Sequence, residues 1–193
     1  MHDVVIRGGT IVDGTGADRY TGDVAIDDGR LAQVGGKAGP GKREVDANGQ
    51  LVLPGWVDVH THYDGQATWD PLLAPSSWHG TTTIMFGNCG VGFAPCKPQD
   101  RARLIDLMEG VEDIPGIVLS EGLKWDWESF PEFLDALERQ PRAIDVAAQV
   151  PHHPIRVHVM GERALDHEPA SADEINTMSK IAEEGLRAGA FGF

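Results

Sequence analysis

The chain has 193 residues, 41% of them hydrophobic and 24% charged, enough apolar content for a sizeable core and the wrong composition for a disordered chain. That length excludes a complete eight-fold β/α barrel plus any second domain, since such a barrel alone takes about 250 residues. Sixteen basic residues against 30 acidic ones give a net charge of −14, which argues against a nucleic-acid backbone or an anionic membrane as partner. Two cysteines, Cys89 and Cys96, cannot make a disulfide framework. The start MHDVVIRGG lacks the basic and apolar regions of a secretory signal, and no apolar run reaches membrane-spanning length. The expectation is a soluble cytoplasmic protein.

Residues 1–52 read as β structure. Val4–Ile6 and Thr10–Val12 are β-branched runs around the turn Arg7-Gly8-Gly9, and Asp23–Ile26 and Leu31–Val34 flank the hairpin signal Asp27-Asp28-Gly29. Val45 and Leu51–Leu53 continue the pattern. Short antiparallel strands of a small sheet or half-sandwich are expected.

The character changes at Pro54-Gly55. Trp56–Thr61 and Thr81–Phe86 read as strands. Asp100 is placed to cap a helix over Arg101–Glu109 that Gly110 ends. Ser129-Phe130-Pro131-Glu132 has capping-box spacing before a helix that Pro141 stops. Ala143–Val150 reads as a buried strand. A second capping box, Ser171 to Glu174, opens a helix with Ile175, Met178, Ile181, Ala182 and Leu186 on one face and Gly189 just past its end. Ala190–Phe193 reads as a strand just begun. Residues 54–193 thus alternate strand and helix, the pattern of a parallel sheet. The chain is expected to be the N-terminal part of a larger protein. There is no internal repeat and no low-complexity tract.

The segment Trp56–His62 carries the strongest chemical signal. Alternate side chains of a strand share a face, so Trp56, Asp58, His60 and His62 point one way. Val57 and Val59 point the other way, toward expected helices. Two imidazoles at the end of such a strand suit Zn²⁺ or a similar ion. A bare H-x-H in a chain with eight histidines is weak by itself, and a solvated edge strand is the competing reading. The next strand ends in Gly87-Asn88-Cys89-Gly90-Val91-Gly92. Cys89 there is a candidate thiolate ligand, set against the ordinary reading of a small buried hydrophobe. A phosphate-cradling loop is disfavoured, because the glycine order is G-x-x-G-x-G and no Lys-Ser/Thr follows. Cys96 reads as structural or incidental.

The segments PGWVDVHTHYDGQ, GNCGVGFAP and LMEGVEDIPG, with RGGTIVDGTG near the start and GAFGF at the end, resemble the N-terminal part of N-acyl-D-amino-acid deacylases (D-aminoacylases) of the amidohydrolase superfamily. The resemblance runs along the whole chain. It implies an α/β fold: the N-terminal part of a (β/α)₈ TIM-type barrel (residues 54–193, incomplete), preceded by antiparallel strands of a small β-sandwich (residues 1–53). It implies that His60, His62 and Cys89 are metal ligands, for one or two divalent ions such as Zn²⁺ in the intact enzyme. Two further histidine ligands and an aspartate general base are expected beyond residue 193, so no catalytic residue is assigned within the chain. The implied substrate is a small N-acyl-D-amino acid, cleaved to a carboxylate and a free D-amino acid.

Asp58, Tyr63, Asp64 and Asn88 sit beside the expected ligands and are candidates to line the site or position its ligands. His152, after the third strand, is a further candidate. His158 and His167 read as surface residues. Trp125, Trp127 and Phe130 read as core or lid packing. Two alternatives stand beside the deacylase. One is hydrolysis of cyclic amides or ureides, as in hydantoinase- or dihydroorotase-like enzymes. The other is a non-catalytic fragment that packs against a missing C-terminal half, another partner or its own copy.

Overall fold

The computed structural model describes residues 1–193. The chain is mixed α/β and divides into two compact units, Met1–Gly55 and Trp56–Phe193.

The first unit is one five-stranded sheet. Its strands are β1 (His2–Ile11), β2 (Tyr20–Asp27), β3 (Arg30–Val34), β4 (Gly41–Asp46) and β5 (Leu51–Val52), in the order β3-β2-β1-β4 with β5 also on β1. The sequence suggests two strands around Arg7-Gly8-Gly9, but β1 is continuous. A bulge between Ile6 and Gly9, with Gly8 at φ +65°, absorbs the irregularity without breaking the strand. The sheet is also not purely antiparallel. β1 pairs antiparallel with β2 but parallel with both β4 and β5. Asp23 ties the sheet together: its carboxylate accepts from the amides of Gly8 (2.9 Å) and Ala38 (2.9 Å) and from Arg7 (3.0 Å). These bonds hold its carboxyl below the usual carboxylate range, with the two amides as the main cause.

The second unit is built on a three-stranded parallel sheet, β6 (Trp56–Thr61), β7 (Thr81–Phe86) and β8 (Asp145–Ala148), in that order. β8 is shorter than the apolar run suggests. Two single 3₁₀ turns bridge β6 to β7. Three helices separate β7 from β8: α1 (Arg101–Glu112), α2 (Gly116–Gly122) and α3 (Phe130–Glu138). After β8 come α4 (His152–Met160), α5 (Glu162–Leu165) and α6 (Ala172–Ala188).

Both capping boxes form in full, at Ser129 with Glu132 and at Ser171 with Glu174, and Gly189 closes α6 at φ +118°. α1 departs from expectation at both ends. Asp100 precedes it without a side-chain cap, and the helix runs through Gly110 to Glu112. A mid-helix glycine costs only about 1 kcal/mol, which the packing of Leu104 and Met108 against the core outweighs. α3 ends at Glu138, ahead of Pro141.

The core joins Phe86, Phe93, Trp127, Phe130 and Phe133 with Ile84, Leu104 and Met108. Trp127 donates from its indole nitrogen to the Phe93 carbonyl at 2.8 Å, so the aromatic cluster before α3 is core. The apolar stripe of α6 splits: Met178, Ile181 and Ala182 pack on the core, while Ile175 and Leu186 stay exposed. Val57 and Val59 are likewise 60% and 57% exposed, because β6 is an edge strand with only β7 beside it. Ala190–Phe193 is not a regular strand. It still follows β8 through two backbone bonds, Phe191 amide to Ala148 carbonyl and Val150 amide to Gly192 carbonyl, each 2.9 Å.

Candidate metal centre

The strand β6 delivers the two histidines. Thr61 is buried and donates its hydroxyl to the Met85 carbonyl at 2.9 Å, which fixes the end of β6 against β7. His60 and His62 flank Thr61, so both project from the opposite face, and their ring centroids lie 5.5 Å apart. β7 delivers Cys89 through a tight turn. Gly87 takes φ +85°, and a Cβ there would run into the Gln149 carbonyl oxygen. The Gly90 amide then closes the turn onto the Gly87 carbonyl at 3.0 Å.

These two strand ends bring one ligand atom each from His60, His62 and Cys89 within 4.8 Å of one another. Cys89 Sγ lies 3.9 Å from His62 Nδ1. Burial lowers the pKa of His62 and raises that of Cys89. The first shift keeps the imidazole neutral, the form that ligates a metal. Two imidazoles and a thiol are a donor set that fits a borderline ion such as Zn²⁺.

The neighbouring residues have distinct places. Asn88 donates from its side chain to the Val59 carbonyl at 3.1 Å and so ties the Cys89 loop to β6. Asp58 is exposed and accepts from the His60 amide at 3.2 Å. Tyr63 turns away to Ser76, donating to its hydroxyl at 3.0 Å and accepting from its amide at 3.2 Å. Asp64 is buried with one carboxylate oxygen unpartnered, and burial pushes its pKa up to about 8. A Cβ on Gly92 would stand 2.9 Å from Pro151 Cγ and 3.0 Å from Asp64 Oδ1, so a side chain there would crowd both.

His152 is exposed at the start of α4, its ring stacked edge-on against Phe193 at 6.2 Å. His158, expected at the surface, is half-buried with Nδ1 unpartnered. Cys96 is buried and its thiol is pushed up to about 12 by desolvation, which makes it inert. The glycine run leads into irregular chain rather than into a helix, so it lacks the helix N-terminus of a phosphate cradle.

Two residues at the site are not among the candidate site residues of the sequence reading. His153 donates its amide to the Gly90 carbonyl at 2.8 Å, and its ring Nδ1 lies 3.0 Å from the same oxygen. Glu112, at the end of α1, lies 3.2 Å from His62 Nε2. Both come together with the site only through tertiary structure, and neither has a spacing signal.

A protein of Mycobacterium tuberculosis of uncharacterised role is 37% identical over 199 residues, covering 99% of this chain and 32% of its own. The N-acyl-D-aspartate deacylase of Alcaligenes xylosoxydans xylosoxydans is 34% identical over 194 residues, covering 98% of this chain and 36% of its own. The crystal structure of N-acyl-D-glutamate deacylase from Bordetella bronchiseptica, complexed with zinc and a phosphonate mimic of the tetrahedral intermediate, superposes with a TM-score of 0.82 at 35% identity. That match covers 100% of this chain and 38% of the other. The chain therefore spans about a third of the length of the relatives it matches. Residues 43–193 match the model of the amidohydrolase family, and the chain belongs to that family.

Proposed function

We propose that this chain is the metal-binding N-terminal portion of a hydrolase that removes the acyl group from N-acyl-D-amino acids. One observation carries the reading: the ligand atoms of His60, His62 and Cys89 converge at the ends of two adjacent parallel strands. The deacylases of Alcaligenes and Bordetella support the substrate class, and the zinc of the Bordetella structure supports the ion. The parallel strands β6 to β8 with their intervening helices are, on this reading, the first part of a (β/α)₈ barrel. Residues 1–53 supply, on the same reading, strands of a small β-sandwich.

His60, His62 and Cys89 would hold the ion, one of one or two in the intact enzyme. The chemistry such an ion supplies is polarisation of an amide carbonyl and acidification of water. The chain's own contribution is positional. The Thr61 hydroxyl and the Asn88 amide lock the two strand ends together, so the donor atoms are held close before any ion arrives. Asp64 is buried, and desolvation pushes its pKa up to about 8. The general base is assigned to a residue beyond 193.

The test is metal content together with hydrolysis by the whole protein. Zinc-loaded protein should release acetate from N-acetyl-D-amino acids and leave the L-enantiomers intact. His60→Ala and Cys89→Ala should each lower both bound zinc and turnover. Full zinc content in both variants would remove these residues from the site. No helix is long and apolar enough to cross a membrane, and the reading places the enzyme in the cytoplasm.

A further inference from the structure

The parallel sheet of the second unit has one face in the core. Ile84 and Phe86 of β7 belong to the core cluster, as do Ala148 of β8 and Val150 just past it. Thr61 of β6 lies opposite Phe86 and is buried with it. Side chains alternate along a strand, so Met85, Ala147 and Gln149 point to the other face, the one that His60 and His62 occupy. The register agrees. Met85 pairs with Ala147, and the Gln149 amide donates to the Phe86 carbonyl at 2.9 Å, one step further along the same ladder.

Gln149 stands at the end of this face, beside the turn that carries Cys89: its carbonyl oxygen is the atom that a Cβ on Gly87 would strike. Its side chain is half-buried, and the carboxamide nitrogen donates to Met85 Sδ at 3.4 Å. Gly192 closes in from the far side, where a Cβ would stand 3.5 Å from Gln149 Cδ. Met85, Gln149 and Gly192 thus make a short wall, separated by β7 from the strand that bears the two histidines. At about 4.8 Å between neighbouring strands, β8 runs roughly 10 Å from β6, so the wall is within reach of a small molecule held at the ligand cluster.

The wall carries no charge. Three arms leave the scissile amide of an N-acyl-D-amino acid. The carboxylate is an anion, and a thioether with one neutral carboxamide supplies no cation for it. The D side chain changes character from one amino acid to the next. The acyl chain is the arm that stays apolar, and a thioether backed by glycine is a surface suited to a small apolar group.

We propose that Gln149 and Met85 form the end wall of the acyl subsite and restrict the enzyme to short acyl groups such as acetyl. The proposal rests on the deacylase reading above. A thioether is a weak acceptor, but its bond holds the Gln149 carboxamide against β7, so the volume of that group stays where a longer acyl chain would extend. Gln149 determines specificity here and takes no part in making or breaking bonds.

The experiment uses the whole, zinc-loaded protein. A screen of N-acetyl-D-amino acids first finds the two that wild type hydrolyses best. Two ratios of kcat/KM are then measured: N-butyryl against N-acetyl on the best amino acid, and the second N-acetyl substrate against the first. Wild type should prefer acetyl to butyryl. Gln149→Ala and Met85→Ala each open the wall and should move the first ratio toward butyryl by at least about 10-fold, since one methylene in a tight pocket is worth about 10–200-fold. Gln149→Leu keeps the volume and should keep the wild-type ratio. Bound zinc and the second ratio should stay the same in all three variants, because neither residue is a ligand or faces the D side chain. An unchanged first ratio in both alanine variants, at wild-type zinc content, would overturn the proposal and leave the deacylase reading standing. A change in the second ratio with none in the first would overturn it too, by giving the wall to the D side chain. No hydrolysis anywhere in the screen would overturn the deacylase reading and the proposal with it.

Discussion

The amide of His153 donates to the carbonyl of Gly90 at 2.8 Å, so the first turn of α4 holds the loop that carries Cys89. The His153 ring, with Nδ1 at 3.0 Å from the same oxygen, adds a second donor. His153→Ala removes the ring bond and keeps the backbone one. It should cost about 0.5–1.5 kcal/mol in urea unfolding. Hydrogen exchange should speed up locally at residues 88–92. Faster exchange spread evenly over the second unit would show that His153 acts on global packing instead.

Gly87 sets the direction in which Cys89 leaves β7. At φ +85°, a side chain is strained, and here its Cβ would also press on the Gln149 carbonyl, whose amide continues the β7–β8 ladder onto Phe86 at 2.9 Å. Gly87→Ala should therefore destabilise the second unit by at least about 1–3 kcal/mol, the cost of the backbone strain alone. It should also change the rate at which Cys89 reacts with a thiol reagent. An unchanged denaturation midpoint would rule out this account of the turn.

Gly185 lies at the face of α6 that meets the core. An added Cβ would stand 2.5 Å from Val150 Cγ2 and 3.2 Å from the Phe130 ring. Alanine is the better helix former by about 1 kcal/mol, while overpacking a tight core costs about 1–3 kcal/mol. Steric cost should win, so Gly185→Ala should lower the thermal midpoint. A raised midpoint would mean that α6 moves away without penalty.

The legible parts of this fold are those with local signals. Ser129 and Ser171 announce their helices because each capping box closes within four residues. The H-x-H pair is legible because a strand has period two, and Cys89 because glycines surround it. α4 was not legible: Pro154 interrupts its pattern, and its stability comes from burying Ile155, Val157 and Met160. α2, beginning at Gly116, is hidden for a similar reason, since its one buried side chain is Leu119. Glu112 was hidden most completely. It reads as one acid among many in LMEGVED, and only the packing of α1 places it against His62.

Asp23 makes the first unit sensitive to acid. Its folded pKa lies below the unfolded value near 3.9, so its contribution is present above about pH 4 and is lost as pH falls through the folded pKa. Asp23→Asn should be less stable than wild type at pH 7, and the gap should narrow steadily below about pH 4. Unfolding curves of the first unit at several pH values give the comparison. A constant gap down to low pH would show that the carboxylate's charge is not what holds Gly8, Ala38 and Arg7.

Residues 1–193 alone, supplied with zinc, should hydrolyse N-acetyl-D-amino acids no faster than background. The acids near His60, His62 and Cys89 are unsuited to act as the base. Asp64 is buried with its pKa pushed up to about 8 by desolvation, and Glu112 is engaged with His62. Asp58 is exposed and tied to the His60 amide. A positioned general base is worth about 10²–10⁴-fold, so a bound ion without one leaves little rate. Zinc binding should nevertheless be measurable in the same sample, and it should fall with Cys89→Ala. The decisive comparison is turnover in the 193-residue chain with and without that substitution. Robust turnover that Cys89→Ala abolishes would place a complete catalytic site within these residues, with Asp64 or Glu112 the first candidates for its base.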